Sequence, residues 1–156
     1  MATAPTDLNP HIIEGLYTEA LVLADEVRAA FDLSGRLEQA SLDEDLARIA
    51  LSCEALRTTT RMMHAIAWLI NQRAYLKGEL SELQLRRHGR LPPDRSRPDP
   101  ANLALIDPDT RALIVTSERF YSRIERLDRA WHQRFEMQPG AIQRLRERLG
   151  EAVRYI

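Results

Sequence analysis

The side chains best suited to chemistry in this sequence are a thiol and an imidazole on one predicted helix. Cys53 and His64 are 11 residues apart, a spacing that returns to nearly the same helix face but separates them by about 16 Å along the axis. A thiolate nucleophile needs its base within hydrogen-bond reach. A catalytic dyad would therefore require Cys53 and His64 from two different chains. We interpret Cys53 as a small packing residue of the helix.

A second candidate group lies further along the chain. Asp128, His132 and Glu136 follow one another at intervals of four residues and share a helix face. Helical bundles that hold metal ions use a Glu-x-x-His pair, and the sequence contains none. Because Arg129 and Arg134 flank the group, we interpret it as a solvated charge ladder. The sequence also lacks a Walker loop, a dinucleotide-binding glycine motif and a Cys-x-x-Cys pair, so we expect no enzyme, no metal site and no cofactor.

A basic segment over residues 86–97 is the third candidate. It contains Arg86, Arg87, His88, Arg90, Arg95 and Arg97. Clustered positive charge is enough to bind phosphate groups, so a nucleic-acid-associated regulator is one function that the sequence allows. Asp94 interrupts the cluster, and no aromatic residue is interleaved for base stacking. A salt-bridged or solvated loop is the simpler interpretation.

Composition limits the class of protein. The 156 residues suffice for one domain with a self-sufficient core. Residues 1–54 carry 11 acids and 3 bases, a balance of −8, and residues 55–156 carry 12 acids and 19 bases, a balance of +7. We expect this asymmetry to be satisfied mostly inside the bundle. The single cysteine, the polar N-terminus and the absence of a long apolar run predict a soluble cytoplasmic protein.

The dominant structural pattern is a heptad register that continues from residue 42 to residue 77. Apolar or small residues recur there at alternating steps of four and three, so that one face of a single long helix stays apolar. This heptad line consists of Leu42, Leu46, Ile49, Cys53, Leu56, Thr60, Met63, Ala67, Ile70 and Ala74. A rod of this length is roughly 54 Å long, so we expect it to need partners from its own chain, from a second copy, or from both.

The remaining elements are predicted from capping signals, apolar stripes and prolines. They comprise a first helix over 9–33, the long helix over 42–77, a short helix over 81–88, a proline-rich connector over 89–107, a third helix over 108–137 and a short C-terminal helix over 140–154. No alternation with a period of two is present. The sequence therefore predicts an all-α fold, a three-helix bundle with a long central helix in a single domain over 1–156.

The middle of the long helix is apolar on more than its heptad line. Additional apolar residues there are Met62, Ile66, Trp68, Leu69 and Tyr75. A helix that is hydrophobic on two sides must bury both of them. Either the other helices of the chain cover everything, or these five residues meet the same surface of a second copy. We favour the second interpretation and predict a homodimer.

Three segments resemble one known family. They are SCEALRTTTRMMHAIAWLINQRAYLKGELS at residues 52–81, LRRHGRLPPD at residues 85–94 and LDRAWHQRFEMQP at residues 127–139. In these segments the chain is similar to the alphaproteobacterial family of the regulator of CtrA degradation, and the similarity extends from about Leu16 to Arg148. The resemblance is a whole-sequence similarity and not a match to a catalytic signature.

The resemblance implies a cytoplasmic homodimer built on a three-helix bundle and lacking enzymatic activity. It implies an adaptor that helps to deliver cell-cycle regulatory substrates to the ClpXP protease, together with a response-regulator-like partner that primes the ClpX unfoldase. An adaptor needs at least two contact surfaces. From their charge we place one at Arg86, Arg87, His88 and Arg90, and the other at Arg144, Arg146 and Arg148 on the C-terminal helix.

Overall fold

The computed structural model describes residues 9–32, 42–137 and 141–154, and all regular secondary structure in this part of the chain is helical. The helices are α1 (Pro10–Ala30), α2 (Leu42–Leu76), α3 (Glu82–His88), α4 (Pro100–Leu103), α5 (Pro108–Met137) and α6 (Ala141–Arg154). The all-α prediction is confirmed. The long helix α2 packs against both α1 and α5.

The helix ends follow from local chemistry. The Asn9 side chain accepts a hydrogen bond from the His11 backbone N–H, with Pro10 in the first turn. Ser81 and Gln84 form a reciprocal capping box at the start of α3. After α2, Gly78 adopts a φ of +77°, which favours glycine and reverses the chain after Leu76.

The direction of the three long helices is fixed by contacts between them. Glu14 near the start of α1 bonds to Arg73 near the end of α2, so these helices run antiparallel. Trp68 of α2 bonds to Asp128 of α5, and α5 runs in the same direction as α2. The buried core between them contains Ile13, Leu16, Ala20, Leu23, Val27, Met62, Ala65, Trp68, Leu69, Leu91, Phe120, Tyr121 and Ile124.

A proline-rich segment over residues 90–99, which we call the strap, lies along α2 and α5. The buried guanidinium of Arg61 donates to the Asp94 carboxylate at 3.1 Å and to the Ser117 hydroxyl at 3.0 Å, and it also bonds the backbone oxygen of Ser96. The Tyr121 hydroxyl donates to the backbone oxygen of Pro92. The strap is therefore part of the folded core and not a free linker.

The connector differs from the prediction in one respect. The sequence predicts no regular helix between residues 89 and 107, yet Pro100–Leu103 forms the short helix α4. Its N-cap is Asp99, whose side chain accepts from the Ala101 backbone N–H at 2.9 Å. A proline in the first turn of a helix loses no hydrogen bond, because that N–H has no partner within the helix.

Candidate interaction surface

The helix α2 presents to solvent the face that its heptad line defines. We call this face the α2 seam; it consists of Leu46, Ile49, Cys53, Leu56, Thr60, Met63, Ala67 and Ile70. Its five long apolar side chains are between 48% and 70% exposed, Cys53 is also exposed, and Thr60 is half-buried. Scattered exposed apolar residues are normal, but a continuous row marks an interaction site.

The length of the seam matters for what could cover it. From Leu46 to Ile70 it extends about 36 Å along the helix at about 1.5 Å per residue. A strip of that length and about 10 Å wide covers less area than the roughly 800 Å² per partner of a stable interface. Flanking residues must therefore also contribute to any stable contact. One such flank is an apolar cleft of about 590 Å³ between the end of α1 and α2, lined in part by Phe31, Met62 and Met63.

The five residues predicted to form a dimer interface lie elsewhere. Met62, Trp68 and Leu69 are at most 3% exposed within a single chain, and Ile66 and Tyr75 are half-buried. This corrects the choice of face, because side chains packed against α1 and α5 are not available to a second copy. The heptad line, which the sequence offered as the main packing face, is the exposed one.

The inner face of α2, opposite the α2 seam, buries polar as well as apolar residues. Glu54, Thr58, Arg61 and Gln72 are all buried on the inner side of α2. The Glu54 carboxylate accepts from the Asp99 backbone N–H and the Asn102 side chain, both at 3.1 Å. Buried charges are tolerated when they are paired and hydrogen-bonded. The strap and α4 supply partners to Arg61 and Glu54, and Arg57 of α2 itself also pairs with Glu54. The sequence pattern of α2 alone does not reveal the partners in the strap and α4.

The predicted chemical candidates do not form a catalytic group in the described part of the chain. Cys53 is exposed on the seam and His64 is half-buried, both on the single unbroken helix α2. No cluster of three or more potential metal ligands occurs among the described residues. The side chain of Glu136, the third member of the predicted charge ladder, lies outside the described residues.

Asp128 and His132 form a buried polar group that the charge-ladder interpretation did not anticipate. The Asp128 carboxylate accepts from the Trp68 indole at 2.8 Å, and it is only 7% exposed. The Nδ1 atom of His132 lies 2.8 Å from the Asp128 backbone oxygen, an arrangement that assigns the proton to Nδ1. Since the group joins α2 to α5, it acts in packing.

Electrostatics at the strap favour the neutral form of one phenol. Burial raises the pKa of Tyr121 above its usual value of 10.0, and the nearby Asp94 carboxylate raises it further. The protonated hydroxyl can then donate to Pro92 over the whole neutral range.

The basic residues predicted to bind partners are at the surface. Arg86, Arg87, His88 and Arg90 are exposed at the end of α3 and the start of the strap. On α6 the exposed residues include Arg144, Arg146 and Arg148, alongside Leu145 and Leu149, which are 58% and 57% exposed. Among the described residues, no hydrogen bond or ion pair joins these side chains to the α2 seam.

The asymmetry of charge along the chain is satisfied in part within the bundle. Two acids of α1 bond to bases of the other long helices, Glu14 to Arg73 and Glu19 to Arg123, each at 2.7 Å. Solvent-exposed pairs of this kind contribute about 1 kcal/mol or less. They orient α1 more than they stabilise it.

No helix in the described segments is both long and apolar enough to cross a bilayer. No curated protein and no solved structure matches the chain. The family described as "Protein of unknown function (DUF1465)" matches residues 4–153, which is nearly the whole sequence. This chain of helices with its exposed α2 seam therefore belongs to the DUF1465 family.

Proposed function

We propose that this protein is a non-enzymatic adaptor that helps to deliver cell-cycle regulatory substrates to the ClpXP protease in the cytoplasm. The observation that carries the proposal is the α2 seam, a long apolar surface on a rigid helix whose opposite side is buried. Proteins that work by contact need such a surface, whereas catalysis needs converging polar groups. Membership of the DUF1465 family is compatible with the resemblance to the regulator of CtrA degradation.

We further propose that the seam is the contact between two copies of the chain. The interface would then be helix against helix, with the small residues Cys53, Thr60 and Ala67 allowing the backbones to approach closely. Covering a long apolar side chain contributes about 1.5–3 kcal/mol relative to leaving it in water. This contact would leave the basic surfaces of α3 and α6 accessible to the ClpX unfoldase, its priming partner or a substrate.

The test is degradation in a reconstituted system. Purified ClpXP, the response-regulator-like priming partner and a cell-cycle substrate are combined with and without this protein. We expect the substrate half-life to shorten only when the protein is present, because an adaptor raises the local substrate concentration at the unfoldase. A substrate that lacks the recognised segment is the control. Equal half-lives in the presence and absence of the protein would contradict the adaptor proposal.

A nucleic-acid-associated regulator using residues 86–97 is the second candidate. The observation in its favour is that Asp94, the acid that interrupts this basic segment, is engaged by the buried Arg61. The exposed Arg87, Arg90, Arg95 and Arg97 are then less neutralised by Asp94 than the sequence suggests. A gel-shift assay at low salt separates the two functions, since an adaptor retards neither DNA nor RNA.

A further inference from the structure

The cleft between α1 and α5 combines an apolar floor with a basic rim. It has a volume of about 570 Å³, within the range of ligand-binding clefts. Leu16 and Leu127 line it together with the half-exposed Ile12. Gly15 and Arg126 also face it from the two helices. We call it the α1–α5 cleft.

The charged residues that line this cleft, Glu19, Arg123 and Arg126, give it a net positive charge. Among its described lining residues the one carboxylate is that of Glu19, which is already bonded to Arg123 at 2.7 Å. Arg126 forms no ion pair with any residue that the structure describes. The same is true of Arg119, which is exposed two turns before Arg126 on the same face of α5. Arginine forks bind carboxylates in two-point geometry.

We propose that the α1–α5 cleft is a docking site for an acidic segment of a partner protein, in which one apolar side chain enters the cleft and flanking carboxylates bind Arg126 and Arg119. The partner's chemistry is argued from complementarity: an apolar floor takes an apolar anchor, and unpaired guanidinium groups take acids. This inference rests on the proposed adaptor function and names the kind of partner segment that such an adaptor would hold.

Gly15 provides a direct way to close the cleft. A Cβ atom built at Gly15 has no neighbouring atom within 4 Å, so a side chain at this position begins in open space. Gly15→Leu should fill the cleft and exclude the anchor. Gly150→Leu on α6 is the matched control, because a Cβ there also meets nothing within 4 Å. Equal helix content by circular dichroism shows that both variants are folded.

The experiment measures fluorescence anisotropy of a fluorescein-labelled peptide in which one leucine is flanked by glutamates. We expect Gly15→Leu and Arg126→Glu each to weaken binding by about tenfold, while Gly150→Leu and Arg28→Glu bind like the unmodified chain. Replacing the peptide's leucine by alanine, or its glutamates by glutamines, should weaken binding similarly. Added salt should reduce the affinity.

Two results would overturn the docking site. One is equal affinity of the unmodified chain, Gly15→Leu and Arg126→Glu for the peptide, including the case in which none of them binds it. The other is tighter binding of a labelled DNA duplex than of the peptide at physiological salt, lost in Arg126→Glu. Because the assay contains no protease, its failure leaves the adaptor proposal standing, and failure of the degradation assay leaves this measurement unaffected.

Discussion

Trp68 of α2 donates its indole N–H to the carboxylate of Asp128 on α5 across 2.8 Å, in the interior of the bundle. Both residues are at most 7% exposed. The bond joins the two longest helices, and neither partner has an alternative in solvent. It therefore specifies how far α2 and α5 are shifted along each other, in addition to whatever energy it contributes.

Replacement of Asp128 by alanine should destabilise the fold by about 2 kcal/mol, because the Trp68 N–H is then buried without an acceptor. Urea unfolding at a fixed protein concentration measures this change. Glu125→Ala, one turn earlier on α5 and half-buried, is the matched control and should change the free energy of unfolding by less than about 0.5 kcal/mol. Equal stability of the two variants would show that the indole bond contributes nothing.

The attachment of the strap depends on a buried guanidinium. Asp94→Ala should cost about 3 kcal/mol, because Arg61 then remains fully buried without its counter-ion. The double variant Arg61→Met with Asp94→Ala should recover part of this loss, since an apolar side chain of similar length carries no desolvation penalty. Chemical unfolding of both variants tests the prediction, and a double variant less stable than Asp94→Ala would contradict it.

The α2 seam should control association and not folding. Leu56→Glu and Met63→Glu place a charge on side chains that are 70% and 65% exposed in one chain, so thermal stability of the folded chain should change little. Light scattering should give twice the 17.9 kDa chain mass for the unmodified protein and the mass of one chain for each variant.

The control for the seam is Leu83→Glu on α3. Leu83 is 71% exposed and lies outside the seam, so this variant should remain associated. An unmodified protein that has the mass of one chain at tens of micromolar would end the proposal that the seam joins two copies.

Alkaline pH should destabilise the protein through Tyr121. Its pKa is raised by burial in the folded state, so above pH 10 the unfolded chain loses a proton that the folded chain retains. Unfolding then becomes more favourable as pH rises beyond 10, and the contribution of Tyr121 is constant below that value.

Tyr121→Phe isolates this effect. The variant should lose about 1 kcal/mol at neutral pH, because the Pro92 oxygen loses its donor. Its stability should then fall less steeply than that of the unmodified protein between pH 9 and pH 11. Parallel pH profiles of the two proteins, measured by urea unfolding, would mean that the phenol at position 121 is not the group responsible.

The sequence by itself determined where the helices other than α4 are. The capping signals at Asn9 and Ser81 and the positive φ at Gly78 are local features, because each satisfies or ends the backbone bonds of one helix turn. Along α5, Phe120, Ile124 and Trp131 lie at helical spacing in the sequence, and all three are buried. In both cases the signal that predicts the helix lies within that helix or at its ends.

Tertiary structure decided which face of α2 is inside. Both faces carry apolar residues, so periodicity alone did not show that the heptad line is the exposed one and that Met62, Trp68 and Leu69 are buried. The inner face also buries Glu54 and Arg61, an expensive choice unless partners arrive from far along the chain. Asp94 and Asp99 do so from 33 and 45 residues away. Glu54 also pairs with Arg57 of α2 itself, but the counter-ion of the buried Arg61 comes from the strap. Because a buried charge needs such a partner, the inner face of α2 could be recognised only once the strap was in place.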